Sequence, residues 1–165
     1  MKDCVLDTNV LLVASAAHPY SPWDDANHVP AEEQKKVFDW LAEFRIDASR
    51  NIVLDDLFTI YEEYRNKLSD QDYGLQVVHE KMQSALRQVD LEWDDENYAV
   101  VPDAFQTFDR SDRKFLAVAL SDPKTIAIVN AADTDWLYFE KELEAAGVEV
   151  VHVIEDWLRK QKANK

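Results

Sequence analysis

Cysteine is nearly absent from this sequence: Cys4 is the only one in 165 residues. One cysteine cannot close an internal disulfide, and in an apolar run it reads as a buried, inert thiol that packs as a small hydrophobe. Glycine occurs twice and proline five times, too few for a low-complexity or disordered chain. Long hydrophobic runs are missing too. The longest near the amino end, Val10 to Ala14, falls far short of the ~20 residues that span a bilayer. Met1-Lys2-Asp3-Cys4-Val5-Leu6-Asp7 carries acids where a signal peptide needs an apolar stretch. The expectation is a soluble, cytoplasmic protein with no membrane attachment.

Positive charge is also scarce. Against 33 acidic residues stand 18 Lys and Arg, for a net charge of −15. A field of that sign repels polyphosphate. Two explanations of different class stay open here. The acids form a solvated face on a protein that never meets nucleic acid, or some gather around bound cations that reverse the local sign.

What the chain does have is core-forming material: 47% hydrophobic residues, with five Trp, six Tyr and seven Phe. Its length fits one domain, residues 1–165. Cys4-Val5-Leu6 reads as a buried strand closed by Asp7 and Thr8, and Val10 to Ala17 as the start of a helix. His18 to Pro30 is a loop by its Pro, Asp, Asn and His content. Ala31 to Phe44 has a helical stripe of Val37, Phe38, Leu41 and Phe44, and Ile52-Val53-Leu54 is a second strand.

Asp55 or Asp56 then caps a helix carrying Leu57, Ile60, Tyr61, Tyr64 and Leu68. Residues 73–89 show one apolar set, Leu75, Val78, Met82, Ala85, Leu86 and Val89, which predicts a single helix. Glu92 to Asn97 is irregular, and Tyr98 to Val101 a short strand stopped by Pro102. A helix over Ser111–Leu120, a strand over Ile126–Val129, a helix over Asp135–Ala146 with Gly147 at its C-cap, a strand over Val148–Ile154 and a terminal helix over Asp156–Lys160 complete the chain. Short apolar strands alternating with amphipathic helices predict an α/β fold, a three-layer α/β/α sandwich around a mainly parallel sheet.

Such sheets bind ligands at the carboxyl ends of their strands, near the switch in strand order. Asp7 ends the first strand, Asp133 and Asp135 follow Ile126–Asn130, Asp112 opens the preceding helix, and Glu62 and Glu63 lie on the helix after the second strand. Converging acids repel and raise one another's pKa, so such a cluster is tolerated mainly as a cation site. Hard cations such as Mg²⁺ want these oxygens, and a bound ion can serve phosphoryl displacement. Helix caps recruit Asp as well, and Asp109 and Asp122 read as caps or turn residues.

The wording around these acids resembles the PIN domain family of metal-dependent nucleases. Val5-Leu6-Asp7-Thr8-Asn9-Val10-Leu11-Leu12 is similar to its opening motif. Ile60-Tyr61-Glu62-Glu63-Tyr64-Arg65-Asn66-Lys67-Leu68 resembles the second, Asp109 through Ala119 the third, and Ile128-Val129-Asn130-Ala131-Ala132-Asp133-Thr134-Asp135-Trp136 the fourth. The four occur in the family's order. The resemblance implies a PIN-like fold and a Mg²⁺- or Mn²⁺-dependent endoribonuclease, with toxins of toxin–antitoxin pairs among its relatives. It implies that Asp7, Glu63, Asp112 and Asp133 bind the metal and orient or activate water, with Asp135 a fifth acid. Thr8 would hydrogen-bond near Asp7 or cap a helix, and Asn130 would shape the strand end or a turn. Helical phase alone leaves Glu62 and Glu63 open, and the wording selects Glu63. The Ala131-Ala132 spacer leaves the roles of Asp133 and Asp135 undivided.

Arg110, Arg113 and Lys114 surround Asp112 and are candidates for phosphate contact or plain exposed charges, as are Arg65 and Lys67 beside Glu63. Tyr20 and Trp23 offer base stacking or core packing. His18 and His28 have no zinc spacing and no cysteine partner. Implied partners are RNA, an antitoxin or another basic protein, and a second copy of the chain. The competing classes are a non-enzymatic PIN-like module that binds a protein partner, and acid-rich phosphotransfer folds. Against the latter, Asn9 stands where a haloacid-dehalogenase-like phosphatase needs a second Asp, and Val5-Leu6 where a response-regulator receiver wants paired acids.

Overall fold

Five short strands build a wholly parallel sheet, apolar runs at its centre and mixed sequence at its edges: β1 Asp3–Leu6, β2 Ile52–Asp55, β3 Leu86–Val89, β4 Ile126–Asn130 and β5 Glu149–His152. Their order is β3-β2-β1-β4-β5 in the computed structural model, which describes residues 1–18 and 28–165. Strands β2 and β4 are buried throughout, as is β1 from Cys4 onward. The two edge strands are half-exposed, as an outer position demands. Register runs in step from Asp3 opposite Ile126 to Leu6 opposite Val129. Reversal of order about β1 and β4 puts a crevice at their carboxyl ends.

Helices α1 Thr8–Ala17 and α2 Ala31–Ile46 connect β1 to β2, and α3 Thr59–Lys67 and α4 Tyr73–Ser84 connect β2 to β3. α5 Arg113–Ser121 returns the chain to β4, α6 Asp135–Tyr138 and α7 Glu140–Ala145 lead to β5, and α8 Glu155–Ala163 closes the chain. Right-handed crossovers put the first four on one face of the sheet and α5 to α7 on the other. The expected three-layer α/β/α sandwich is the fold found. Its hydrophobic residues form one core running through both layers. No helix among the described residues is long and apolar enough to cross a membrane.

Both glycines have a structural reason. Gly147, at φ 74°, follows α7 in a Schellman arrangement: Val148 N–H donates to Leu143 O at 2.9 Å and Gly147 N–H to Glu144 O at 3.0 Å. Gly74 lets α4 touch α1, since a Cβ there would stand 2.7 Å from the Leu11 carbonyl oxygen. Its N–H donates to the Ser15 hydroxyl at 2.9 Å.

Three expected elements need correction. The helix over 73–89 ends at Ser84, because Ala85 takes an extended φ of −152° and Leu86–Val89 joins the sheet beside β2 as an edge strand. Tyr98–Val101 contributes only an isolated antiparallel bridge, Ala99 to Trp93. The helix over 135–146 breaks at Phe139, whose ring is drawn between Phe105 and Phe108 at centroid distances of 6.2 and 5.0 Å. Asp55 serves the helix after β2 as expected, fully buried and accepting the N–H groups of Thr59 at 3.0 Å and Ile60 at 2.9 Å. The N-cap position itself, however, is Phe58, and Leu57, expected on the helical stripe, precedes α3 and is exposed. Residues 19–27 of the expected loop, with Tyr20 and Trp23, lie outside the described residues. His18 stacks on Tyr73 and His28 tilts against Trp157, so the two imidazoles face separate ring partners.

Candidate functional site

Asp7 is the first residue past β1 and is almost wholly buried. It caps α1, one oxygen accepting the Asn9 N–H at 3.1 Å and the other the Trp136 indole N–H at 2.7 Å. Burial drives its carboxyl above the ordinary carboxylate range, against the pull of those hydrogen bonds. Trp136 is itself fully buried and packs on Phe108 at 4.9 Å between ring centroids. This links the first and fourth acidic stretches across 129 residues.

A second link comes from Asn9. Its amide donates to Asn130 Oδ1 at 3.0 Å, and its Oδ1 accepts the N–H groups of Ala131 at 3.0 Å and Ala132 at 2.8 Å. Buried Asn130 in turn donates to the Asp133 carbonyl at 2.9 Å, while its Oδ1 accepts the Asp133 N–H at 3.2 Å. The ends of β1 and β4 are thereby sewn together, and the acidic loop after β4 is held in place. Asp133 Oδ1 accepts the Asp135 N–H at 2.9 Å. Burial first, then the Asp7 charge, raise Asp133 to about 6.

Asp109, Asp112 and Asp135 converge most closely, with one oxygen from each within 4.8 Å of the others. Asp109 is a cap as expected, accepting Ser111 N–H at 2.9 Å and the Ser111 hydroxyl at 2.8 Å. The turn it caps, Arg110–Asp112, is a 3₁₀ turn, in which side chains three apart eclipse. The turn brings one oxygen of Asp112 within 4.8 Å of one of Asp109. Neither Asp112 nor Asp135 accepts a side-chain hydrogen bond from any described residue. Desolvation raises Asp112 to about 8, with further push from Asp7, Asp133, Asp109 and Glu63 in that order. The donor set is all hard oxygen. Mg²⁺ takes oxygen ligands at about 2.1 Å, so neighbouring ligands of one ion stand about 3 Å apart, and these three carboxylates would draw together on binding it. The residues fit a hard divalent cation.

Glu63 lies on α3 near the same group, close enough for its charge to act on Asp7 and Asp112. Both its oxygens are taken: Oε2 accepts the Thr8 hydroxyl, and Oε1 accepts Lys114 Nζ at 2.8 Å. Glu62, by contrast, points outward and is exposed. Arg113 is buried, and its guanidinium donates to the carbonyls of Phe108 at 3.2 Å and Gln106 at 2.6 Å, so it braces the preceding loop. Arg110 is exposed and pairs with Glu96 at 2.8 Å above the Tyr98 ring. Lys165 Nζ donates to Thr134 Oγ1 at 2.6 Å, and its charge pulls against the rise of Asp133.

Reading the sequence overlooked Asn9, Trp136 as a donor, and Asp109 as a member of the cluster. Asn9 carried a signal, a polar residue directly after a strand-ending Asp. The Asp109–Asp112 spacing was visible too, but its meaning depends on the turn being 3₁₀. No protein-family model matches this chain, and neither a curated protein nor a solved structure does.

Proposed function

We propose that this chain is a Mg²⁺- or Mn²⁺-dependent nuclease of the PIN type that hydrolyses RNA. The observation that supports it is the meeting of Asp109, Asp112 and Asp135 within 4.8 Å beside Asp7, Glu63 and Asp133, at the carboxyl edge of a parallel sheet. Asp112, Asp135 and Asp109 are the residues that would hold the ion, with Asp133 and Asp7 bounding it. When bound, the ion supplies charge neutralisation and Lewis acidity for phosphodiester hydrolysis.

The chain's own groups do the rest. Asp7, fixed by Trp136 and Asn9, sets the floor of the site. Asn9 and Asn130 hold the loop that presents Asp133 and Asp135. Asp112 holds its proton at neutral pH and must release it as the cation enters, which makes binding tighten as pH rises. Against the overall charge of −15, a filled site would lower the repulsion that phosphate meets at this edge.

Cleavage of end-labelled single-stranded RNA tests the reading. Cleavage should need Mn²⁺ or Mg²⁺, stop with EDTA, and be lost in Asp112→Asn and Asp135→Asn. Activity that survives EDTA or either substitution refutes it. A second reading, an inactive module with a protein partner, is favoured by one observation: Glu63 and Asp7 already have their oxygens filled by protein donors. Folded protein that neither binds Mn²⁺ nor cleaves RNA would select it.

A further inference from the structure

We infer that Lys114 is a built-in substitute for a second divalent cation, so that the site takes one such ion and Glu63 is not among its ligands. This rests on the cation-site reading above. The ammonium lies 2.8 Å from Glu63 Oε1 and also donates to the Ser111 carbonyl. The side chains of this ion pair are only 13% and 22% exposed. With Thr8 on the other oxygen, each Glu63 oxygen already accepts one ordered donor.

A divalent ion on Glu63 would face the Lys114 ammonium at close range, and relieving that repulsion means that Lys114 leaves. That strands an ammonium in a half-buried place whose remaining partners are one backbone carbonyl and the face of the Phe115 ring, and removing one member of a buried pair is costly. Asp109, Asp112 and Asp135 have no such guard. Asp112 and Asp135 accept no hydrogen bond on their side chains from described residues, and no described lysine or arginine pairs with any of the three. The six acids therefore divide in three: Glu63 is neutralised from within by Lys114, Asp7 and Asp133 accept neutral donors, and Asp109, Asp112 and Asp135 form the group open to a cation. Lys114 positions Glu63 and Thr8, and through Ser111 O it fixes the 3₁₀ turn that carries Asp112.

Isothermal titration of metal-free protein with Mn²⁺ counts the ions. Wild type should bind one. Lys114→Met should bind two, since it bares the Glu63 carboxylate beside Asp7 and Asp112. Lys114→Met with Glu63→Gln, which removes both charges and leaves the net charge unchanged, should return to one with wild-type affinity. Two ions in wild type, one in Lys114→Met, or none in the double variant while wild type binds, would each overturn the inference. No Mn²⁺ binding by any of the proteins overturns the cation site itself, a separate failure. Circular dichroism in EDTA checks folding; if Lys114→Met does not fold, the wild-type and double-variant counts still decide.

Discussion

Replacing Asp112 by Asn should stabilise the metal-free protein, and by more at pH 8 than at pH 5. In the unfolded chain an aspartate loses its proton near pH 3.9. In the folded protein burial and four neighbouring acids hold that proton up to about 8. Between those values the native state binds more protons than the unfolded state, so stability falls as pH rises through the window. The ordinary carboxylate case runs the other way. Above pH 8 the full cost of a charged Asp112 is felt, and near pH 4 none of it.

Taken at face value, a shift from 3.9 to about 8 is worth about 5–6 kcal/mol. Asp112 is only partly buried, so water and salt screen it, and about 2 kcal/mol is the reasonable expectation. For a chain of this size that is roughly 4–8 °C in melting temperature. Thermal melts in EDTA from pH 8 to pH 5 should show the variant above wild type at pH 8, with the gap closing as pH falls. Comparing the two proteins at each pH cancels the general effect of the −15 net charge. A variant that melts at or below wild type at pH 8, or a gap indifferent to pH, refutes the reasoning.

Millimolar Mn²⁺ should raise the melting temperature of wild type, by about 2.7 kcal/mol of stability at a hundred times the Kd, and leave Asp135→Asn nearly unmoved; equal shifts in the two count against the cluster. Gly74→Ala should cost about 1–3 kcal/mol in urea unfolding, because its Cβ would meet the Leu11 carbonyl at 2.7 Å. A neutral result would mean that α4 slides freely on α1. Asn9→Ala should cost about 2–3 kcal/mol, since it strips the acceptor from the Ala131 and Ala132 N–H groups. It should also weaken Mn²⁺ binding, and unchanged binding would detach the Asn9 network from the site.

The layered fold was legible because its inner strands are continuous apolar runs that burial on both faces requires. Val5-Leu6, Ile52 to Leu54 and Ile126 to Val129 are such runs, and all are fully buried. β3 was not. Leu86 and Val89 extend the helical stripe of Leu75, Val78 and Met82, and an edge strand is too exposed for its own pattern to stand out. Nothing local marks the break at Ala85; pairing with β2 decides it. The acids nearest the crevice were found from strand ends. What stayed hidden needed three dimensions: the indole of Trp136 reaching Asp7, and the approach of Asp109 to Asp112 and Asp135. Lys114 was visible as a charge beside Asp112, but its pairing with a glutamate 51 residues away was not.

Donors are what distinguish these acids from an ordinary solvated face. A fold that merely tolerates acids at a sheet edge satisfies them, as Asp55 is satisfied by the first turn of α3 and Asp7 by Trp136 and Asn9. Glu63 has a hydroxyl and an ammonium. Asp112 and Asp135 sit among these well-served neighbours, partly buried, with no donor from described residues, and Asp112 is pushed to about 8 as a result. A carboxylate left in that condition destabilises the native state, and a single Asn would remove the strain. Such perturbation concentrates where a group has work to do. The cost is local, it falls on Asp112, and a cation entering beside it would convert it into binding energy.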